Sequence, residues 1–304
     1  MEKLLYTKEA TTFEEQIELL KKRNIIISDE NKAKEYLSDI GYYRLGFYSF
    51  PFEITYPLLN KRRKHEVTPR TTIEHIVALY YFDFDLRRIL NRYLSRIEVS
   101  IRTTMIYTLS LKYKNNPTWF VDPKVLKNKF ITNFDSEVYC HIKNKPTIRR
   151  HHGKYEGKYA PAWKTMEFMT MGNLEVLYDN LLLDQDKKQI AKIYHEPSIS
   201  SFKSYLTTIR EVRNACAHGN VIFDLSLSKG ILAGAACPKF EGGAQQRLNG
   251  ALKIISYMIR QISTNRNQDM WYELFSATKT LYSKVPSLQP LIEAKTGIII
   301  PKDY

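Results

Sequence analysis

The sequence predicts an all-α fold. Three observations carry that expectation. Residues 72–115 contain neither proline nor glycine, and Leu86, Leu90, Tyr93, Ile97, Ile101 and Met105 recur there at three- and four-residue steps, the period of one helix face. Capping residues stand before several other periodic stretches, with Gly or Pro behind them. No strand-rich region, internal repeat or low-complexity tract is present.

The elements follow in order. Thr12 with Glu15 reads as a capping box that opens a helix to about residue 24, with Phe13, Ile17, Leu19 and Leu20 as its apolar face. Ser28 begins a second helix, "DENKAKEYLSDI", ended by Gly41. The run "YYRLGFYSFPF" (42–52) follows, and its Tyr42, Tyr43, Phe47, Tyr48 and Phe50 read as core or docking surface rather than as a base-stacking platform. A polar, basic connection runs to Pro69. The stretch from Thr72 to Asn115, stopped by Pro117, is one long helix or two joined end to end. Residues 116–160 read as irregular, basic and rich in Tyr and Asn. Further helices are expected at about 162–183, 185–195, 198–218, 245–264 and 269–284, with 220–243 as a Gly- and Ala-rich connection. The simplest architecture is a helical bundle. It divides into an N-terminal helical region (1–70) and a helical domain (71–304) that carries the basic insertion around 116–160.

The hydrophobic fraction is 43% and the charged fraction 26%, which suits a globular chain with a core. No window of eighteen uncharged apolar residues occurs, and the first residues mix charges without a signal-peptide stretch, so neither membrane nor export is expected. Cys140, Cys216 and Cys237 lie far apart without a CxxC, which fits a reducing cytoplasm and offers no structural zinc site. No cofactor is expected. The net charge is +14, and it is concentrated in residues 61–70, 111–130 and 143–164, which together account for all of it. Basic excess gathered into a few segments is the footprint of a polyanion binder.

The most informative stretch is "REVRNACAHGN" (210–220). At ~100° per residue, with Arg210 at zero, Arg213 falls at roughly 300°, Asn214 at 40° and His218 at 80°. Ile209, Val212, Ala215 and Cys216 fall on the opposite arc. That polar arc suits phosphodiester chemistry on RNA. Histidine exchanges protons near neutral pH and can serve as general base or acid. Arginine offers a permanent charge to phosphate oxygens and to the charge growing on phosphorus. Asparagine orients without adding charge. No acidic cluster nearby suggests a metal, so the RNA 2′-OH is the natural nucleophile, and the products would be a 2′,3′-cyclic phosphate and a 5′-OH. Arg213 and His218 stand roughly 140° apart on the helix, so two such helices about a two-fold axis would flank one phosphate better than one alone, which favours a homodimer. Arg70 and His75 repeat the bare Arg-x4-His spacing, but lack the Asn and read as chance.

"VRNACAHGN" resembles the RNxxxH signature of HEPN ribonucleases. The stretches 36–52, 82–103 and 160–181 resemble the Abi-like abortive-infection proteins of bacteria, the AbiD/AbiF group. The resemblance implies a HEPN-type helical bundle, action on RNA, a role in phage defence, dimerisation and, for some members, partnership with a structured small non-coding RNA. Carried onto this chain, Arg213 and His218 are the catalytic pair and Asn214 supports them.

Other candidates surround this core, among them Arg210, which shares the polar arc. Glu98 and Arg102, four apart on the long helix, are either an ordinary surface ion pair or line the cleft, with Arg102 on phosphate and Glu98 orienting an arginine. Arg149, Arg150, Lys154 and Lys158 surround His151 and His152 and read as RNA contacts, with Tyr155 or Tyr159 stacking on bases. Adjacent histidines without acidic or thiolate partners do not suggest a metal site. Arg62 and Arg63 belong to the first basic segment. The sequence therefore supports a metal-independent endoribonuclease. A non-catalytic RNA-binding protein assembled with a structured small RNA is the alternative. A basic DNA-binding regulator is weaker, because no recognition-helix pattern stands out.

Overall fold

The computed structural model describes residues 5, 7, 9–59 and 63–303. Among them the secondary structure is helical, and β-type pairing is confined to isolated bridges. The all-α expectation holds. The helices are α1 (Phe13–Lys22), α2 (Glu30–Ile40), α3 (Tyr42–Ser49), α4 (Ile73–Lys112), α5 (Asn128–Phe134), α6 (Cys140–Ile142), α7 (Pro146–His152), α8 (Ala162–Thr165), α9 (Met171–Asn180), α10 (Asp184–Ile193), α11 (Ile199–Ala217), α12 (Leu248–Ile262), α13 (Thr264–Lys284) and α14 (Gln289–Thr296). The chain forms two compact units, Met1–Asp85 with Ala277–Gln289, and Leu86–Ser276 with Pro290–Tyr304. The division expected near residue 70 falls just ahead of α4.

In the first unit, Thr12 and Glu15 form the reciprocal capping box of α1. Asp29, rather than Ser28, caps α2, and Gly41 ends it with φ +85°, a conformation that favours glycine. The aromatic run divides by helix face. Tyr48 is fully buried, its hydroxyl donating to the buried Asp83 carboxylate at 2.8 Å, whereas Tyr43 and Phe47 are exposed. The second Arg-x4-His match has a structural explanation: Thr72 and His75 exchange hydrogen bonds at the start of α4.

Helix α4, whose residues from Leu86 onward belong to the second unit, is the long element the periodicity predicts. It is one helix of 40 residues. Leu86, Leu90, Tyr93, Ile97, Ile101 and Met105 are all buried. Helices α9, α10 and α12 pack against α11. The buried Asp186 carboxylate of α10 accepts from Lys112 and from the Tyr113 hydroxyl at 2.6 Å, and burial with that contact raises the phenol above its ordinary pKa.

The expectation for 116–160 needs correction. The segment is built of short helices, α5 to α7 and two other helical turns, around Trp119, Phe120, Phe130, Phe134, Tyr139 and Tyr159. Pieces of seven residues complete too few turns to display a periodic face, so their order comes from aromatic packing. Phe134→Ala should lower the stability of this unit by about 3–5 kcal/mol, read as a lower urea midpoint. An unchanged midpoint would mean that the segment does not pack as described.

Candidate functional site

Helix α11 carries the RNxxxH stretch. Ser198 caps its start by accepting from the Ser201 amide at 3.2 Å. Phe202, Tyr205, Leu206, Ile209, Val212, Ala215 and Cys216 are buried, so the apolar arc faces the core and the polar arc is left outward. The end of the helix is set by Gly219 at φ +70°. The Asn220 amide donates to the Ala215 carbonyl and the Gly219 amide to that of Cys216, the paired bonds of a glycine-terminated helix. Arg87, on the buried side of α4, donates to the Asn220 carbonyl at 3.1 Å and ties down the chain beyond the turn. His218 is the resulting C-cap residue. Its amide donates to the Asn214 carbonyl at 2.9 Å. Its imidazole is exposed, and no described side chain bonds it.

Arg213 lies beside Asn214, whose Oδ1 accepts from the guanidinium at 3.3 Å. Its Nε is 3.6 Å from the Glu98 carboxylate. The other Glu98 oxygen accepts from Arg102 at 2.9 Å, and the same Arg102 nitrogen donates to the Met169 carbonyl at 2.9 Å. Arg102 is only 8% exposed, and its Nε is buried without a partner. So Glu98 and Arg102 are not a solvated helix-surface pair, and Glu98 sits where it can orient an arginine. Arg102 is turned inward, its guanidinium committed to Glu98 and a backbone carbonyl. Arg213, about a third exposed, is the arginine of this group that meets solvent.

Arg210 also leans away from the RNxxxH turn. Its guanidinium pairs with Glu175 of α9, which accepts from the Thr207 hydroxyl at 2.6 Å. The Arg210 stem passes Gly172, where an added Cβ would lie 3.5 Å from Cδ. Glu175, Glu211, Arg87 and the Met169 carbonyl all shape this region without standing out in the sequence. Each acts through a partner far along the chain, so only the fold reveals it.

The basic segments form other surfaces. Arg149, Arg150 and Lys154 are exposed on and just after α7, and Lys158 is exposed but pairs with Asp135. Tyr155 is exposed and stacks on His151 at 4.9 Å, whereas the Tyr159 ring packs with Phe120, Phe134 and Tyr139 under the Lys158 ammonium. Burial, with Lys164 and His152 beside it, holds the His151 imidazole below its ordinary pKa. Arg63 makes a two-pronged bond to the buried Glu53 carboxylate, both contacts at 2.7 Å, and covers the Phe50 ring. Arg62 lies outside the described residues. Among the described residues no helix is long and apolar enough to cross a membrane.

A family model described as "Abi-like protein" matches residues 35–224. That span takes in most of α2, the whole of α3 to α11 and the RNxxxH turn. No curated protein and no solved structure matches the chain.

The pairing geometry makes an energetic prediction. Glu98→Ala should destabilise the protein by about 3 kcal/mol, because it leaves a buried guanidinium short of its counter-charge. Adding Arg102→Met should recover most of that loss. Urea midpoints of the two variants check this, and a double variant no more stable than the single one would refute the buried-pair assignment.

Proposed function

The chain belongs to the Abi-like protein family, a membership that supports an abortive-infection role in phage defence, and from that premise we propose that it is an endoribonuclease working from the RNxxxH turn of α11. The observation that carries this reading is the arrangement of one exposed imidazole and one half-exposed guanidinium, with Asn214 between them and Glu98 steadying the arginine. In the proposed step His218 takes the proton from a ribose 2′-OH. The 2′-oxygen forms a bond to phosphorus and the bond from phosphorus to the 5′-oxygen breaks. The leaving oxygen receives a proton, giving a 2′,3′-cyclic phosphate and a 5′-OH. Arg213 neutralises charge building on the phosphoryl oxygens, and Asn214 holds the guanidinium or the phosphate in line.

No described side chain orients the His218 ring. That supports a homodimer in which a second copy completes the cleft. The same observation favours a second reading, a non-catalytic RNA-binding protein assembled with a structured small RNA. The exposed Arg149, Arg150 and Lys154 beside Tyr155 suit phosphate contact with base stacking under either reading.

Arg213→Ala and His218→Ala should each reduce RNA cleavage at least a hundredfold while thermal unfolding stays unchanged. Chelation by EDTA should leave the wild-type rate intact. Mixed dimers of the two inactive variants should regain part of the activity. A His218→Ala protein that cuts at the wild-type rate would overturn this site assignment, whereas a wild-type protein that cuts no more RNA than His218→Ala would leave the non-catalytic reading standing. For binding, the triple replacement of Arg149, Arg150 and Lys154 by Ala should flatten the log–log salt dependence by about 2, since each phosphate contact contributes roughly 0.7–0.9. An unchanged slope measured by filter binding would remove α7 from the RNA surface.

A further inference from the structure

Upstream of the RNxxxH turn, α11 forms one wall of a groove of about 270 Å³ whose other wall is the chain at Lys229, Gly230 and Leu232. Its lining carries four hydroxyls: Thr208 is buried and donates to the Ser204 carbonyl, Thr207 donates to Glu175, Ser204 accepts from the Leu232 amide, and Ser200 lies at the exposed end beside Ser198. At ~100° per residue Ser200, Lys203, Ser204, Thr207 and Glu211 occupy the arc that also holds Arg210, Asn214 and His218, whereas Thr208 borders the apolar arc and is buried. The groove and the RNxxxH turn are thus successive stations on one helix face. From Glu211 to His218 the helix rises roughly 10 Å, and from Thr207 roughly 16 Å. A short stretch of single strand, rather than a lone nucleotide, would reach both.

The charges in the groove are disposed for a polyanion with a sugar. The Glu211 carboxylate, which would repel phosphate, is capped by the Ser228 amide at 2.9 Å and by the Ser228 hydroxyl, with Arg210 at 3.9 Å. Lys203 is paired with Asp179. Lys229 is exposed and has no ion pair among the described residues. Leu232, half-exposed, supplies an apolar surface beside it. The volume is just under the ~300 Å³ at which drug-sized pockets begin, a size for one nucleoside. The Ser200 and Ser204 hydroxyls can meet a ribose 2′-OH, an apolar wall takes a base, and one free ammonium takes a phosphate.

We propose that this groove is a nucleoside subsite of the RNxxxH cleft, holding single-stranded RNA a short way from the bond to be cut. The proposal rests on the nuclease reading for its place in the cleft, but its binding step is measured without chemistry. The experiment uses the full chain carrying His218→Ala and a fluorescein-labelled uridine tetranucleotide, with anisotropy as the readout. Lys229→Glu and Leu232→Glu, both at exposed positions, are each expected to weaken binding at least tenfold. The deoxy tetranucleotide is expected to bind the parent at least fivefold more weakly than the ribo form. Thermal unfolding of each variant confirms that the fold is kept. If both variants bind like the parent, or if ribo and deoxy forms bind alike, the subsite assignment is overturned. Failure of the nuclease reading shows elsewhere, as a wild-type protein that cuts no more RNA than His218→Ala does.

Discussion

A guanidinium as deeply buried as that of Arg102 is tolerated only if something answers its charge. Here Glu98, one turn earlier on α4, and the Met169 carbonyl, just ahead of α9, do so. The consequences spread from that requirement. Glu98 must stay in place, and its second oxygen is then available to Arg213 on α11. One buried charge therefore ties α4, the approach to α9 and the last turn of α11 to a common register. Arg87 adds a second tie from α4 to the carbonyl of Asn220. The polar arc of α11 is held from both sides of its terminal turn, while its apolar arc is held by the core.

That arrangement separates arginines that a sequence cannot rank. Arg102, Arg210 and Arg213 carry the same charge, yet the fold commits the first to the interior, pairs the second with Glu175 and sets the third between Glu98 and Asn214, the latter two each about a third exposed. A residue offered to a phosphate has to keep hydration to exchange for it. Of the two partly exposed arginines, Arg213 is the one beside Asn214, and it stands roughly 140° from His218 around α11. The hydroxyl-lined groove upstream extends the same outward face, so the helix supports a surface several residues long rather than a single point.

The segment 116–160 shows a different economy. Its sequence reads as irregular and basic, but charge and packing are carried by different residues. The aromatic side chains turn inward and stack on one another, while Arg149, Arg150 and Lys154 stay outside. Cationic side chains on a packed support hold a defined spacing, which a free loop does not, and defined spacing is what distinguishes a phosphate-binding surface from a merely basic one. Arg63 illustrates the opposite outcome, a basic residue drawn from a charged run to neutralise a buried carboxylate.

How much of this was legible in the chain depends on the range of the interaction. Features set within about one or two helical turns were readable: the capping box at Thr12, the buried stripe of α4 from Leu86 to Met105, the polar and apolar arcs of α11, and Gly219 as its stop. Each follows from helical periodicity or from a local backbone preference that a few neighbouring residues impose. Contacts between distant segments were not readable: the partners Glu175, Met169 and Asn220, the aromatic packing that orders 116–160, and the groove against residues 229–232. The reach of Glu98 to Arg213 lies between, because the i,i+4 pairing with Arg102 and a cleft role orienting an arginine were visible alternatives, while the choice between them and the particular arginine were not. The sequence by itself determined most of the helices outside 116–160 and which face of α4 and α11 is polar. Tertiary structure alone decided which charges are satisfied inside and which remain for a ligand, because burial and pairing belong to the packed arrangement and to no single helix.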